Sequence, residues 1–130
     1  MAKSNLYGWI QINNLGIIMA NLSTKIKLYA NQEVDFTTDV ILQDDSNGQG
    51  AYIKEWNIEG VVKPTDEQLA TYESAADLLE RQNAVRRTRK AAYGSIEDQL
   101  DMQYKDKLNG TTTWNDHVAA VKSANPIPTE

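Results

Sequence analysis

The feature that most constrains the fold is a change in hydrophobic period near Gly60–Pro64. Before this point apolar and polar residues alternate, which is the period of a strand with one buried face. After it, apolar residues recur every three or four positions, which is the period of a helix. The sequence therefore predicts an α+β protein, with an antiparallel β lobe of hairpins in residues 1–62 and a three-helix region in residues 63–130.

Several segments of the first half have the pattern of strands. LYGWIQI, at residues 6–12, is followed by a turn-like Asn13–Gly16 and by IIMA as the returning strand. TKIKLYA alternates Lys25 and Lys27 with Ile26 and Leu28, which is the pattern of a half-buried strand. EVDFTTDVILQ and AYIKEWNIE, separated by the turn formers DDSNGQG, predict a hairpin over residues 33–59 with a long polar loop.

The second half begins with a helix start signal. Thr65 and Gln68 form a T-x-x-Q capping box, in which the threonine side chain and the glutamine side chain each bond the other residue's backbone. Apolar residues then follow on one face, and the helix is predicted to reach about Ala92, with Gly94 ending it.

Two shorter helices are predicted after Gly94. Ser95 and Asp98 form a second capping pair, and Asn109–Gly110 closes this helix. Three threonines then offer N-caps for a last helix, which ends at Asn125–Pro126 because proline cannot continue the hydrogen bonding. Helical spacing predicts that these helices share a core made of Tyr93, Ile96, Leu100, Tyr104, Trp114, Val118 and Val121.

The composition excludes several classes of function. There are no cysteines, so disulfides, thiolate nucleophiles and cysteine-bound zinc are ruled out. The net charge of -5 argues against nucleic acid as a partner, although the cluster RRTRK at residues 86–90 keeps phosphate contact open as an alternative. No stretch approaches the ~20 apolar residues that cross a bilayer, and no membrane partner is expected.

Candidate catalytic and metal-binding residues are few. Asp98 and Asp101 stand three residues apart, so they share a helix face as a carboxylate pair would, yet Asp98 already serves the helix start. The loop from Asp44 to Glu55 fails the calcium-loop test, because Gln49 stands where the bend requires glycine. His117 is the only histidine. We therefore predict no enzyme, no metal and no cofactor.

Exposed aromatic residues are the candidates for contact with a partner protein. Trp9 has the opposite parity to the apolar residues around it, and Tyr52 and Trp56 lie in the predicted strand AYIKEWNIE. These three residues are predicted to bind a partner, and an unpaired strand edge in this lobe would accept an added strand.

The C-terminal part carries a motif in AAYGSIEDQLDMQYKD, a later tryptophan and VAAVKSANPIP. This segment resembles the phage tail assembly chaperone family, whose pattern joins an aromatic residue, an isoleucine, D-Q-L-D, an aromatic, a tryptophan, a V-K pair and a closing proline. The matching positions here are Tyr93, Ile96, Asp98, Gln99, Leu100, Asp101, Tyr104, Trp114, Val121, Lys122 and Pro126. The segment YIKEWNIEGVVKPTDEQL also looks like the linker that precedes this module. Gly94 departs from the family by replacing its proline, so the bend there depends on backbone freedom.

The resemblance implies a non-enzymatic phage protein that assists tail or tail-fibre assembly by binding a tail or tail-fibre protein, with self-association left open. It would act in the host cytoplasm during assembly. Asp98, Gln99 and Asp101 are then expected to offer polar contacts to the partner. The alternative is a structural virion subunit that anchors a fibre or decorates the tail or baseplate and stays in the particle.

Overall fold

A computed structural model describes residues 11–12 and 18–130, and the described chain is mixed α and β. It forms two compact units, Met1–Glu80 and Arg81–Glu130. The strands are β1 (Gln11–Ile12), β2 (Ile18–Met19), β3 (Val40–Gln43) and β4 (Tyr52–Trp56). The helices are α1 (Leu22–Ala30), α2 (Asp66–Ala70), α3 (Glu73–Tyr93), α4 (Ile96–Asn109) and α5 (Thr113–Ala124). The predicted division at residue 62 marks the change of period, whereas the compact units divide within α3.

The strands form two separate antiparallel pairs, β1 with β2 and β3 with β4. The predicted hairpin is present but shorter than expected, because residues 35–39 make a turn. Backbone N–H groups of Thr38, Asp39 and Val40 all bond the carbonyl of Asp35, and the Asp35 carboxylate accepts the N–H and hydroxyl of Thr37. These local bonds replace the ladder that a longer strand would have needed.

The strand prediction for TKIKLYA is wrong, because this segment is helix α1. Ile26 is fully buried, and Leu22, Tyr29 and Ala30 pack against the same core. These residues have the spacing of one helix face. A short alternation of lysine and apolar residues fits such a face as well as it fits a strand. Asn31 ends the helix in the left-handed conformation, at φ 53°.

Carboxylates of another helix accept hydrogen bonds from the backbone N–H groups just before α1. Asn21 occupies the N-cap position but makes no side-chain capping bond. Instead, Glu73 accepts the N–H of Ala20 and Glu80 accepts the N–H of Asn21, with the latter N···O distance at 2.7 Å. Both acids belong to α3 and are far from α1 in sequence, so the first turn of α1 is stabilised by tertiary contact.

The core of the first unit lies where α1, the β3–β4 hairpin and α2 pack together. Tyr29 contacts the rings of Trp56 and Tyr72 edge to face, with both pairs of ring centroids 6.2 Å apart, and its hydroxyl donates to the carbonyl of Val62. The buried members of this core are Ile26, Val34, Val40, Ile58 and Leu69, of which Ile26 and Val40 are fully buried.

The capping box at Thr65 and Gln68 is confirmed, with both of its reciprocal bonds formed. The prediction of a single long helix after it is wrong, because the chain forms two helices, α2 and α3, with a turn between them. The N–H and the hydroxyl of Thr71 both donate to the carbonyl of Gln68, three residues earlier. This bond spacing is that of a tight 3₁₀ turn, which separates the two helices. Four helices therefore follow residue 62 in the described chain, where three were expected.

The second unit contains α4, α5 and the C-terminal part of α3. The Ser95 side chain accepts the N–H of Asp98 and Gly110 ends α4, as the sequence predicts. Gly94 has φ +83°, so the bend before α4 uses backbone freedom that a residue with a side chain rarely has. The chain after α5 is held to α3 by Gln82, whose amide donates to the carbonyl of Pro128.

Candidate functional site

A groove of about 910 Å³ lies in the first unit. One wall is formed by residues 51–53 at the start of β4, and the facing wall by α2 and the segment before it. Leu69 and Ala70 supply apolar surface on the helical side. The lining of the groove thus combines apolar surface of a helix with residues of a strand.

Charged side chains line the same groove. Lys25 forms an ion pair with Glu73 at 2.8 Å, and the lysine side chain is largely shielded from solvent. Lys63 and Asp66 lie on the α2 side. The groove is therefore lined by side chains of both signs of charge around an apolar patch.

Tyr52 lines this groove and its side chain is exposed, while its predicted contact with a partner stays a prediction. Its hydroxyl accepts a hydrogen bond from Gln43, which also donates to Asp45. Loss of solvation, followed by the neighbouring Asp45, raises the pKa of Tyr52 above its ordinary value. The phenol is thus neutral at physiological pH and presents an aromatic face with a polar tip.

Trp56 is placed differently from Tyr52, although both have the same parity in the sequence. Ile41 pairs with Glu55 and Leu42 pairs with Ile53, so Lys54 is an extra residue in β4. Such a bulge reverses the inside-outside order beyond it. Trp56 therefore packs against the core and donates its indole N–H to the carbonyl of Val61 at 2.7 Å. Its predicted contact with a partner stays a prediction, while its visible role is structural.

Trp9, the third aromatic candidate, lies outside the described residues.

The expected core of the second unit is only partly correct. Val121 is buried, and Tyr93, Trp114 and Val118 are half-buried. Ile96, Leu100 and Tyr104 are instead exposed, so their prediction as core residues is wrong. The spacing of four identified a continuous helix face correctly. However, α4 contacts α5 through another face, on which Gln99, Met102 and Asp106 are half-buried.

Asp106 organises the corner between α4 and α5. Its carboxylate accepts the hydroxyls of Thr111 and Thr113, each at 2.6 Å, and the N–H groups of Thr113 and Trp114, at 3.0 and 2.8 Å. These bonds, led by the Thr111 hydroxyl, hold the pKa of Asp106 far below its usual range. Thr112 occupies the N-cap position, as the sequence predicts, but it makes no side-chain capping bond, and Asp106 bonds the first N–H groups of α5 instead.

The polar residues of the resemblance motif have mixed roles. Gln99 accepts the indole N–H of Trp114 at 3.3 Å and donates to the carbonyl of Gly94, so it joins α4 to its neighbours. Asp98 is exposed at the helix start, where its backbone N–H is capped. Asp101 is exposed and pairs with Lys105 at 2.7 Å. The contacts expected between these three residues and a partner protein stay a prediction.

Two further side chains outside the groove have structural partners. His117 lies 3.0 Å from the carbonyl of Tyr93, to which its Nε2–H donates. Arg89, from the basic cluster, donates to the carbonyls of Asn125 and Lys122 at the end of α5. A cation at a helix C-terminus is favourable, so this arginine stabilises the fold.

Residues 11–12 and 18–130 contain no cluster of three or more metal-ligating side chains. No helix in this part of the chain has the length and apolar character needed to span a membrane.

Sequence reasoning missed the groove itself and Asp106. The groove combines segments that are distant in the chain, so no local pattern marks it. Asp106 is seven residues from Thr113, a separation that no helix-start motif covers.

A family model described as XkdW protein matches residues 23–81, slightly less than half of the chain. The match supports a phage-associated protein and covers most of the first unit, including nearly all of the groove. No curated protein and no solved structure matches the chain.

Proposed function

We propose that this protein is a non-enzymatic phage protein that assists tail or tail-fibre assembly by binding an extended segment of a tail or tail-fibre protein in the groove of its first unit. The observation that carries the proposal is the position of the groove within the region that matches a phage-associated family. The resemblance of residues 93–126 to tail assembly chaperones supports the same assignment independently of that match.

The binding mode follows from the strand that borders the groove. In the described residues β4 pairs only with β3, which leaves its second edge without a strand partner. Three consecutive residues at that end, 51–53, line the groove. An extended segment would gain main-chain hydrogen bonds from this edge and would be selected by side chains that fit beside Tyr52 and Ala70.

The test uses a substitution that fills the groove without disturbing the core. Ala70 is exposed on α2 and lines the groove, so Ala70→Arg places a long side chain there. The matched control is Ala75→Arg, at an exposed position of α3 outside the groove. Both variants are expected to fold, because arginine is a good helix former.

The measurement is binding of the purified full chain to the tail and tail-fibre proteins of the same phage. Ala70→Arg is expected to weaken binding at least about tenfold, which corresponds to ~1.4 kcal/mol, and Ala75→Arg to leave it unchanged. Equal binding by wild type and Ala70→Arg would remove the groove from the proposal. The absence of binding to any tail or fibre protein would overturn the function itself.

The structural-subunit alternative uses the same surface but predicts a different fate. A protein that only assists assembly should be missing from purified particles or present below the symmetric copy number. A virion subunit should be present at a copy number set by tail symmetry. Quantitative mass spectrometry of purified particles separates these two outcomes.

The non-enzymatic assignment also has a direct test. Asp98 and Asp101 are exposed, and the latter is paired with Lys105. We expect Asp98→Ala and Asp101→Ala together to reduce phage assembly no further than they weaken partner binding. Loss of assembly with retained folding and retained partner binding would instead support a chemical role for this pair.

A further inference from the structure

The most apolar exposed surface of the second unit is a row of four residues on α4, here called the α4 stripe. Its members, Ile96, Leu100, Tyr104 and Leu108, are 72%, 58%, 66% and 70% exposed. Residues four apart lie on one ridge of a helix, so the stripe is continuous along the whole element. A contiguous exposed apolar surface of this kind marks an interaction site.

We propose that a second copy of this chain covers the α4 stripe, through antiparallel pairing of α4 with α4. The stripe is symmetric about Met102, which lies midway between its ends. In an antiparallel pair centred there, Ile96 of one copy is level with Leu108 of the other, and Leu100 is level with Tyr104. All four apolar residues of each copy then meet apolar residues, as self-complementary twofold interfaces require.

The charges beside the stripe select this arrangement. Glu97, Asp101 and Lys105 form a second row next to it, also at a spacing of four. Twofold symmetry brings the two charged rows to the same side of the pair. Lys105 of one copy is then level with Gln99 of the other copy. It therefore lies between Glu97 and Asp101 of that other copy, which carry the opposite charge. A parallel twofold pair would instead place the two charged rows on opposite sides of the pair, where Lys105 meets none of the acids of the other row.

The size of the helix limits the expected affinity. Helix α4 has 14 residues, so the contact would extend over about 21 Å. An interface of one helix from each copy lies at the small end of specific interfaces, and we expect a reversible dimer with a dissociation constant on the order of micromolar.

Sedimentation equilibrium of the full chain over a concentration series tests the dimer. Wild type should dimerise reversibly, and Leu100→Glu should weaken the dimer at least about tenfold. The matched control is Val62→Glu, since Val62 is an exposed apolar residue of the first unit. A wild type that stays monomeric, or a dimer that Leu100→Glu leaves unchanged, would overturn the proposal. A monomer whose stripe becomes protected only with a tail protein would also overturn it.

Charge exchange tests the orientation. Lys105→Glu makes the charged row wholly acidic, and Glu97→Lys with Asp101→Lys makes it wholly basic. Each altered chain should dimerise poorly alone, and a mixture of the two should form a heterodimer at least as stable as the wild-type dimer. A mixture that remains monomeric contradicts the charge-row contact.

Cross-linking gives a second test of orientation. The natural chain has no cysteine, so introduced thiols are the only ones present. A mixture of Leu100→Cys and Tyr104→Cys chains should form a disulfide between positions 100 and 104 under mild oxidation. Preferential links between two copies of position 100 would show parallel pairing and overturn the proposed arrangement.

Discussion

At the scale of single residues, carboxylates from other helices bond the starts of α1 and α5. Asp106 bonds the first turn of α5, and Glu73 and Glu80 bond the residues that precede α1. Each acid lies on a different helix from the one it caps. Because unpaired N–H groups and the helix dipole both favour a negative charge at that end, such acids stabilise a helix start and a tertiary contact together.

The first prediction concerns the charge of Asp106. Asp106→Asn removes that charge and one acceptor oxygen, so we expect thermal unfolding near pH 7 to occur a few degrees lower than in wild type. The folded-state pKa is depressed, so the stabilisation is present above the ordinary value near 3.8 and is lost as pH falls through the folded value. The difference between wild type and variant should therefore shrink below about pH 4.

The matched control is Asp98→Asn, because Asp98 is exposed on the same helix and its side chain has no comparable set of bonds. Its melting temperature should change less than that of Asp106→Asn. Equal effects of the two variants, or a difference from wild type that grows towards acid pH, would show that the Asp106 bonds do not stabilise the corner.

At the scale of elements, turn and cap chemistry was predictable where it is local. The capping box at Thr65, the cap at Ser95 and the glycine that ends α4 are present as expected, since their partners lie within three or four residues. The strand prediction for α1 failed because short alternation also fits a helix face. The inside-outside order of β4 could not be predicted because a bulge at Lys54 reverses it.

The second prediction compares two threonines that both occupy N-cap positions. Thr65 caps α2 with its side chain, whereas Thr112 makes no capping bond at the start of α5. Thr65→Ala should lower the free energy of unfolding by about 1 kcal/mol, and Thr112→Ala should cost clearly less. Chemical denaturation of both variants measures the difference. A larger loss for Thr112→Ala would contradict the assignment of Asp106 as the cap of α5.

The third prediction compares two isoleucines. Ile26 is fully buried in the first unit and Ile96 is exposed on α4. Ile26→Ala should cost about 2–5 kcal/mol of unfolding free energy, and Ile96→Ala less than about 0.5 kcal/mol, measured at low concentration where the monomer dominates. Similar losses at both positions would show that Ile96 is covered within the single chain.

At the scale of the whole molecule, the chain has two compact units, each with one prominent surface. The first has a groove beside a strand edge, and the second has the α4 stripe. The two surfaces differ in kind, since one offers main-chain bonding with mixed charge and the other offers apolar side chains between charged rows. We therefore expect them to act independently.

The fourth prediction states that independence as an outcome. Ala70→Arg should weaken partner binding without changing the dimerisation constant, because Ala70 is not on α4. Leu100→Glu should weaken dimerisation at least about tenfold while a single chain still binds its partner segment. Binding assays and sedimentation on the same preparations measure both effects. If either variant impairs both activities while remaining folded, the two surfaces are coupled.

The sequence alone determined the mixed α and β character, the helical second half, the polar hairpin loop and the local caps. Each of these depends on residues within one or two turns, where periodicity and side-chain bonding act directly. Only the tertiary structure decided which apolar face of α4 stays exposed, which acids cap α1 and α5, and where the groove forms. Those features depend on which distant segments pack together. A buried helix face and an exposed apolar helix face have the same period in the sequence, so the period cannot tell them apart.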